Sequence, residues 1–236
     1  KIMTVWNRAL QQAYGTQGPD LVMLDLDGTL VDSVPDLHAA VNVMLSAMGR
    51  AEASSLNVSH WVGNGLNMLL RRALAEGDET RALALDEQLL QDAHCHFDPA
   101  YEAGVHHATG VYPGVNEWLQ ATAGNCRHVL VTNKSRRFTE PLIASLGWQD
   151  YFELLVCGDD LAEKKPSAMP LLYVCEQLQL TAQQALMIGD SRNDIRAAQA
   201  AGIRSAAVTY GYNHGENIAD SQPDWLVNNL LELLAD

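Results

Sequence analysis

The feature that most constrains the fold is an alternation between short apolar runs and amphipathic segments, most of which end in glycine. The runs are Leu21–Leu24, Val129–Thr132, Leu154–Cys157, Ala185–Ile188 and Ala206–Thr209. Runs this short and this apolar are typical of strands buried on both faces of a parallel sheet. A glycine directly after a helix supplies its left-handed final residue, so the amphipathic segments predict helices. These helices are expected at Val115–Ala123, Phe138–Leu146, Ala168–Gln179 and Asn193–Ala201.

The alternation predicts an α/β fold with a doubly wound, three-layer, Rossmann-like parallel sheet. One region, residues 33–104, breaks the alternation because it has helical periodicity and no convincing strand. Helices are expected there at Pro35–Met48, Gly65–Ala75 and Thr80–Phe97, the last as one helix or two. We therefore predict an N-terminal extension at 1–19, a core domain at 20–32 and 105–236, and an inserted all-helical domain at 33–104. A larger single α/β domain is the alternative.

The formal net charge of -14 limits the kinds of partner that the protein can have. Nucleic acids and anionic membrane surfaces both favour basic faces, so we expect no nucleic-acid partner and no membrane association. An anionic substrate would also be repelled at long range. If the substrate carries a phosphate, a bound metal ion is the natural source of local positive charge.

The cysteines and the first residues bear on the location of the protein. The four cysteines are widely spaced and form no CxxC pair, which is typical of free thiols in a reducing compartment. No stretch approaches the roughly 18 apolar residues of a membrane span, and residues 1–19 lack the apolar core of a secretory signal. We therefore predict a cytoplasmic protein. Because the chain begins at Lys1, we expect a processed or engineered end, with Met3 as a candidate native start.

Four polar motifs follow the apolar runs, and ligands of open parallel sheets bind beyond the carboxyl ends of the strands. The first motif is Asp25-Leu26-Asp27-Gly28-Thr29, in which two carboxylates point the same way along an extended chain. Carboxylates this close repel each other, so a site that holds both in ionised form needs a cation. Hard ions such as Mg²⁺ prefer oxygen ligands of this kind. A solvated acidic turn is the alternative.

The other three motifs supply hydrogen-bond donors and further carboxylates. Thr132-Asn133-Lys134 offers a hydroxyl and an amide that can donate to phosphate oxygens or, alternatively, cap a helix. Lys164-Lys165-Pro166 offers a cation for phosphate or for crowded carboxylates, unless both lysines are simply solvated. In Gly189–Asp194, the carboxylate of Asp190 would lie at a strand end, whereas Asp194 would lie in the first turn of a helix, where it could act as a cap.

The order and placement of these motifs resemble the haloacid dehalogenase-like superfamily over residues 20–236. The resemblance implies that Asp25 attacks phosphorus and forms an aspartyl-phosphate. It also implies that Asp27 protonates the leaving alcohol and then activates water. Dehalogenases of this superfamily lack the second aspartate, so Asp27 favours phosphoryl chemistry.

The same resemblance implies a phosphate site and a metal site. The expected phosphate ligands are Thr132, Asn133 and Lys165. Lys165 is preferred to Lys164 because the lysine of the superfamily directly precedes a proline. The expected Mg²⁺ ligands are Asp25, Asp190 and the backbone carbonyl of Asp27, with support from Asp194. Positioning and charge stabilisation by such groups dominate phosphoryl transfer.

The helical insertion at 33–104 resembles a C1-type cap, a domain that closes over the site and selects the substrate. Trp61–Gly65 resembles the substrate-specificity loop of such caps, although an ordinary interhelical turn is the alternative. The substrate-binding residues expected in this loop are Gly63, Asn64 and Gly65. Arg71 and Arg72 could bind a substrate carboxylate, but we expect both to be solvated at the surface.

Several segments resemble the phosphoglycolate phosphatases of bacteria in particular. They are Asp25–Leu37, Trp61–Gly65, Gly158–Asp160, Gly189–Ile195 and Thr209–Gly215. The implied reaction is hydrolysis of 2-phosphoglycolate, a small phosphorylated metabolite, to glycolate and phosphate. The alternatives are a phosphatase for another small metabolite, a phosphomutase with the same fold and cap, and a non-catalytic binding protein.

A cluster of histidines offers a second, weaker candidate for a metal site. The residues concerned are His94, His96, His106 and His107. Their spacing matches no recognisable zinc pattern, so we expect solvated or hydrogen-bonded histidines.

Overall fold

The computed structural model describes residues 4–104 and 106–236. The candidate start at Met3 and the expected first residue of the second core segment, Val105, lie outside the described residues. The strands in the described part are β1 (Leu21–Leu24), β2 (Val31–Asp32), β3 (Gly110–Val111), β4 (Arg127–Val131), β5 (Leu154–Val156), β6 (Ala185–Gly189), β7 (Arg204–Val208) and β8 (Trp225–Val227). The α-helices there are α1 (Arg8–Tyr14), α2 (Val34–Ala47), α3 (Ser55–Trp61), α4 (Leu66–Leu74), α5 (Glu79–Leu83), α6 (Glu87–Gly104), α7 (Val115–Thr122), α8 (Arg136–Ser145), α9 (Met169–Leu178) and α10 (Arg192–Ala201).

Within the described residues, six strands form one parallel sheet in the order β5-β4-β1-β6-β7-β8. In β1, near the middle of the sheet, Leu24 is paired with Leu130 of β4 and with Ile188 of β6. The side chains of β1 alternate between two clusters. Leu21 and Met23 pack with residues of α9 and α10, whereas Val22 and Leu24 pack with residues of α7 and α8. Helices therefore cover both faces of the sheet, and the predicted three-layer α/β fold is confirmed.

Two β-elements were not predicted from the sequence. The edge strand β8 has only three residues, and Leu226 in it is 46% exposed, so no buried apolar run marks it. Strands β2 and β3 pair antiparallel, with Val31 opposite Val111, at the place where the chain leaves the sheet and returns to it. Strands of two residues carry no period that a sequence pattern could reveal.

The N-terminal segment packs on the core. Trp6 and Leu10 are fully buried and belong to the same hydrophobic cluster as Trp118. The ring centroids of Trp6 and Trp118 lie 6.1 Å apart in an edge-to-face arrangement. An isolated bridge joins Trp6 to Leu234 near the other end of the chain. The segment that was predicted as an extension thus contributes two large side chains to the core.

Helices α2 to α6 form the insertion and share a separate hydrophobic cluster, which includes Val41, Leu70 and Phe97. Residues 33–104, all of which the structure describes, contain no strand. The predicted segment Thr80–Phe97 forms two helices, α5 and α6. Helix α3 was not predicted because seven residues are too few to show a helical period. The exact domain boundaries stay predictions. Among the described helices, none has the length and apolar character needed to cross a membrane.

Candidate active site

The carboxyl ends of β1, β4 and β6 are adjacent and bring the sequence motifs to one edge of the sheet. Asp25 follows β1, Thr132 follows β4, and Asp190 follows β6. Helix α10 begins immediately afterwards and holds Asp194 in its first turn. Lys165, from the loop before α9, reaches the same place. All four motifs therefore meet in one cavity.

Lys165 is the centre of the buried part of this cavity. Its Nζ lies 2.9 Å from Asp25 Oδ1 and 2.7 Å from Asp194 Oδ1, and it donates to the carbonyl oxygen of Val131 at 2.5 Å. The side chain is only 2% exposed. Burial alone would lower the pKa of Lys165, but Asp194 and Asp25 outweigh it and hold the pKa above its usual value. Lys164, by contrast, does not line this cavity.

Three carboxylates form a compact acidic cluster beside Lys165. Asp25, Asp190 and Asp194 each place one oxygen within 4.8 Å of the others. Burial, followed by the charges of neighbouring carboxylates, raises the pKa of Asp190 to about 7. Burial and Asp194 likewise raise the pKa of Asp25 well above its usual range. The cluster thus carries more negative charge than the protein alone compensates.

The donor set of this cluster fits a hard divalent cation. Asp190 is held in place, because its Oδ1 accepts from Thr29 Oγ1 at 3.0 Å and its Oδ2 from the backbone N–H of Tyr212 at 2.7 Å. Both oxygens of Asp194 already accept from donors, namely Lys165 and the backbone N–H groups of Asp190 and Ser191. Within the described residues, Asp194 thus accepts three hydrogen bonds and Asp190 two, out of the roughly four that a carboxylate can accept. Asp25 and Asp190 therefore keep more capacity as direct ligands than Asp194. All-oxygen carboxylate sites of this kind suit Mg²⁺.

Unused donors surround Asp25. Among the described residues, the backbone N–H groups of Leu26, Asp27 and Asn133 have no acceptor. The Thr132 hydroxyl oxygen accepts from the backbone N–H of Lys134 at 3.1 Å, which leaves its own hydrogen available. Converging N–H and O–H groups at strand ends form a ready site for an anion.

The side chain of Asn133 differs from the sequence expectation. Its Nδ2 donates to the carbonyl oxygens of Gly63 and Lys165, both at 2.8 Å, so its amide hydrogens are not available to a phosphate. Exchanging the amide oxygen and nitrogen would not free them, because both partners are acceptors. Asn133 Oδ1 is buried and has no partner in the described residues. The side chain therefore joins the Trp61–Gly65 loop to the loop that holds Lys165, and the backbone N–H is the donor of Asn133 that remains free for an anion.

The loop of the helical insertion is held against the core at Gly63. Its carbonyl oxygen accepts from Asn133 and also from Asn193 Nδ2 at 3.1 Å. Gly63 and Gly65 both have positive φ, of 125° and 86°. The positive φ itself favours glycine at Gly65, where an added Cβ would also lie 3.3 Å from the backbone carbonyl oxygen of Asn133. Gly63 and Gly65 both line the cavity.

Asn64 and the two arginines lie elsewhere than expected. Asn64 does not line the cavity, because its Oδ1 accepts from Arg72 Nη1 at 2.9 Å. Arg72 is buried, and its guanidinium pairs with both carboxylate oxygens of Glu79. Arg71 donates to backbone carbonyls and contacts Glu87. The expected surface location is therefore wrong for both arginines, which bind groups of the helical insertion itself.

Sequence reasoning did not single out Lys134 and Tyr101. Lys134 Nζ lies 3.1 Å from Asp27 Oδ1 and 2.6 Å from the hydroxyl oxygen of Tyr101, which belongs to α6. Burial would lower the pKa of Lys134, but Asp27 and Tyr101 outweigh it and hold the pKa above its usual value. Lys134 belongs to the Thr132-Asn133-Lys134 motif, but its contact with Tyr101 of the insertion has no local pattern in the sequence that could have predicted it.

The segment Thr209–Gly215 connects three parts of the site. Tyr212 offers its backbone N–H to Asp190 and its hydroxyl hydrogen to Asp32 Oδ1. Its hydroxyl oxygen also accepts from the backbone N–H of Ser33 at 2.9 Å. His214 Nδ1 contacts the carbonyl oxygen of His60 at 2.9 Å. The segment thus ties the acidic cluster to the start of the helical insertion and to α3.

The histidines of α6 do not form a metal site. His94 contacts Asp98 Oδ1 at 3.0 Å and Asn67 Oδ1 at 2.8 Å. In residues 4–104 and 106–236, the group close enough to hold a metal ion is Asp25, Asp190 and Asp194.

Comparison with known proteins agrees with this geometry. Residues 22–208 match the family described as haloacid dehalogenase-like hydrolase. Phosphoglycolate phosphatase 1 of Pseudomonas aeruginosa is 45% identical over 227 residues, which cover 96% of this chain and 82% of that protein. Phosphoglycolate phosphatase of Nitrosococcus oceani is 42% identical over 91% of this chain and 95% of its own length.

A solved structure supports the same relationship. The crystal structure of a predicted phosphoglycolate phosphatase from Haemophilus somnus superposes with a TM-score of 0.85 at 35% identity, covering 92% of this chain and 96% of that one. The family match and these relatives indicate a phosphatase enzyme. The chain belongs to the haloacid dehalogenase-like hydrolase family and, within it, to the group of phosphoglycolate phosphatases.

Proposed function

We propose that this enzyme is a Mg²⁺-dependent phosphomonoesterase that hydrolyses 2-phosphoglycolate to glycolate and phosphate. The observation that carries the proposal is the surrounding of Asp25. Asp25 lines a cavity together with Lys165, Thr132 and two residues, Asp27 and Asn133, whose backbone N–H groups have no acceptor in the described part of the chain. The relatives in Pseudomonas aeruginosa and Nitrosococcus oceani carry the corresponding name.

In the proposed mechanism, a carboxylate oxygen of Asp25 attacks phosphorus as the bond from phosphorus to the ester oxygen breaks. Asp27, which lines the same cavity, gives its proton to the leaving oxygen of glycolate. Asp27 then takes a proton from a water molecule that attacks the aspartyl-phosphate, releasing phosphate and restoring Asp25. The covalent route replaces one difficult displacement by two easier ones.

The surrounding residues stabilise the charge that develops on the phosphoryl oxygens. The Thr132 hydroxyl and the backbone N–H groups of Leu26, Asp27 and Asn133 donate to them. Lys165 holds Asp25 and Asp194 in place and reduces their mutual repulsion. When bound, Mg²⁺ would be held by Asp25, Asp190 and the carbonyl of Asp27, and it would neutralise phosphate charge.

The helical insertion closes the cavity over the reacting groups. Asn133 and Asn193 both bind the carbonyl of Gly63, so the loop of the insertion is latched to the core on two sides. Such closure keeps bulk solvent away from the reacting groups, so that the attacking water is one held beside Asp27. The free thiols of all four cysteines are consistent with the reducing cytoplasm as the proposed location.

The test is a phosphate-release screen over small phosphorylated metabolites with Mg²⁺, in which substrates are compared by kcat/KM. We expect 2-phosphoglycolate to be the best substrate, chelation to remove the activity, and added Mg²⁺ to restore it. Turnover should need no bisphosphorylated sugar, which separates a phosphatase from a phosphomutase. A better substrate of another class, or full activity in excess chelator, would contradict the proposal.

A further inference from the structure

Lys134 occupies a distinct position in the cavity wall. It projects from the loop after β4, its side chain is 7% exposed, and its Nζ lies 3.1 Å from Asp27 Oδ1. The hydroxyl oxygen of Tyr101 lies 2.6 Å from the same Nζ, and Tyr101 also lines the cavity. The ammonium group is therefore next to the proposed acid of the reaction and in contact with the helical insertion.

Lys134 and Tyr101 both have hydrogen-bond donors that are not used within the described residues. A lysine ammonium has three N–H donors, and within the described residues Lys134 uses two of them, on Asp27 and Tyr101. The Tyr101 hydroxyl accepts from Lys134, and its own hydrogen has no acceptor in the described part of the chain. One N–H and one O–H thus remain at adjacent positions on the cavity wall.

The other charged groups of the cavity do not offer this. Among its lining residues the cations are Lys134 and Lys165. Lys165 already has three acceptors, Asp25, Asp194 and the carbonyl of Val131. A second anionic group on a substrate would therefore find its uncommitted donors at Lys134 and Tyr101.

The position also fits the size of the proposed substrate. In 2-phosphoglycolate, the carboxylate carbon is two bonds from the oxygen that Asp27 would protonate. An ammonium bound to Asp27 is therefore within reach of that carboxylate. The cavity lining also includes the apolar side chains of Leu37, Leu69 and Phe138, which bring no charge to compete for that carboxylate.

We propose that Lys134 and Tyr101 form the subsite that recognises the carboxylate of the substrate, an inference that rests on the proposed function. Lys134 belongs to the core and Tyr101 to α6 of the insertion, so the subsite is complete only when the insertion is closed. Recognition of the carboxylate and closure of the cap then become one event.

The test compares two substrates that differ in the carboxylate alone. One is 2-phosphoglycolate, and the other is 2-hydroxyethyl phosphate, in which a hydroxymethyl group replaces the carboxylate. Lys134→Met should lower kcat/KM for 2-phosphoglycolate by about 100-fold more than for 2-hydroxyethyl phosphate, because only the first loses a buried charge pair. Tyr101→Phe should show the same selectivity with a smaller loss, mainly in KM. Lys164→Met, which changes a lysine outside the cavity lining, should keep the wild-type preference.

Two outcomes distinguish this inference from the proposed function. Equal losses on both substrates in Lys134→Met would show that Lys134 serves Asp27 alone and would overturn the subsite. Calorimetric titration with glycolate tests the subsite without turnover, and Lys134→Met should abolish that binding. A protein that binds glycolate through Lys134 but hydrolyses no phosphate ester would instead overturn the proposed function and leave the subsite standing.

Discussion

The two buried lysines of the cavity lie in different kinds of surroundings. Lys165 contacts Asp25, Asp194 and a backbone carbonyl, all of which belong to the α/β core. Lys134 contacts Asp27 of the core and Tyr101 of the helical insertion. The groups around Lys165 are therefore assembled by the sheet alone, whereas those around Lys134 need both parts of the chain. The difference suggests that the sheet supplies the chemistry and the closed insertion supplies the choice of substrate.

The largest effect that separates these two regions is expected from Lys165→Met. Without the ammonium, Asp25 and Asp194 are left buried and unpaired, which should lower the free energy of unfolding by about 3–5 kcal/mol. We expect kcat/KM to fall by about 1,000-fold for 2-phosphoglycolate and 2-hydroxyethyl phosphate alike. Urea unfolding and steady-state kinetics give the two numbers. If kcat/KM fell for 2-phosphoglycolate alone, Lys165 would act on substrate choice as Lys134 does, and the proposed difference between the two lysines would be wrong.

A second prediction concerns the acidic cluster and pH. In the metal-free protein, burial raises the pKa of Asp190 to about 7 from a usual value of 3.8. The folded state then binds the proton more tightly than the unfolded state, so the free energy of unfolding falls as the pH rises from 4 to 7. Under the proposed function, bound Mg²⁺ would compensate the ionised carboxylates, so it should raise Tm more at pH 8 than at pH 5.

The control for this pH effect is Asp190→Asn, in which the titrating carboxylate is absent. Its Mg²⁺-dependent change in Tm should be small at both pH values. A wild-type Tm shift that is the same at pH 5 and pH 8 would contradict a metal site built on Asp190.

The smallest effect is expected at Asn64, which the sequence had indicated as a substrate-binding residue. Its side chain binds Arg72 rather than lining the cavity. Asn64→Ala should therefore cost about 2 kcal/mol of stability, as one lost hydrogen bond to a charged group. The ratio of kcat/KM between the two test substrates should stay within about twofold of wild type, a change of about 0.4 kcal/mol, because the side chain does not touch the cavity. A large change in that ratio would restore Asn64 as a specificity residue.

The same contrast explains how far the sequence could predict the structure. The strands that precede the candidate catalytic motifs are almost entirely buried, apart from Arg127 at the start of β4. Most of their residues are therefore apolar, and the polar motifs lie at their ends. Asp25, Thr132 and Asp190 were therefore placed correctly beside one another. Edge strand β8 and the ribbon of β2 and β3 are not buried in this way, so no apolar run in the sequence marks them.

Contacts between distant segments were the part that the sequence could not reveal. Arg72 looked like a surface residue because its partner Glu79 lies across a turn of the insertion. The amide of Asn133 looked like a phosphate donor because its two carbonyl partners belong to other loops. Lys134 meets Tyr101 only after the insertion folds back over the sheet. Each case depends on which segment packs nearby, and a local pattern carries no such information.

The most direct test of the central claim is to look for phosphate on Asp25. Enzyme mixed with 2-phosphoglycolate and Mg²⁺, quenched in acid within one turnover and digested, should yield the peptide that contains Asp25 with one added phosphoryl group. Asp25→Asn should fold, give no such peptide and show no turnover. The account would be contradicted if the wild type hydrolysed the substrate rapidly while the phosphoryl group was found on another residue. An active Asp25→Asn enzyme would contradict it as well.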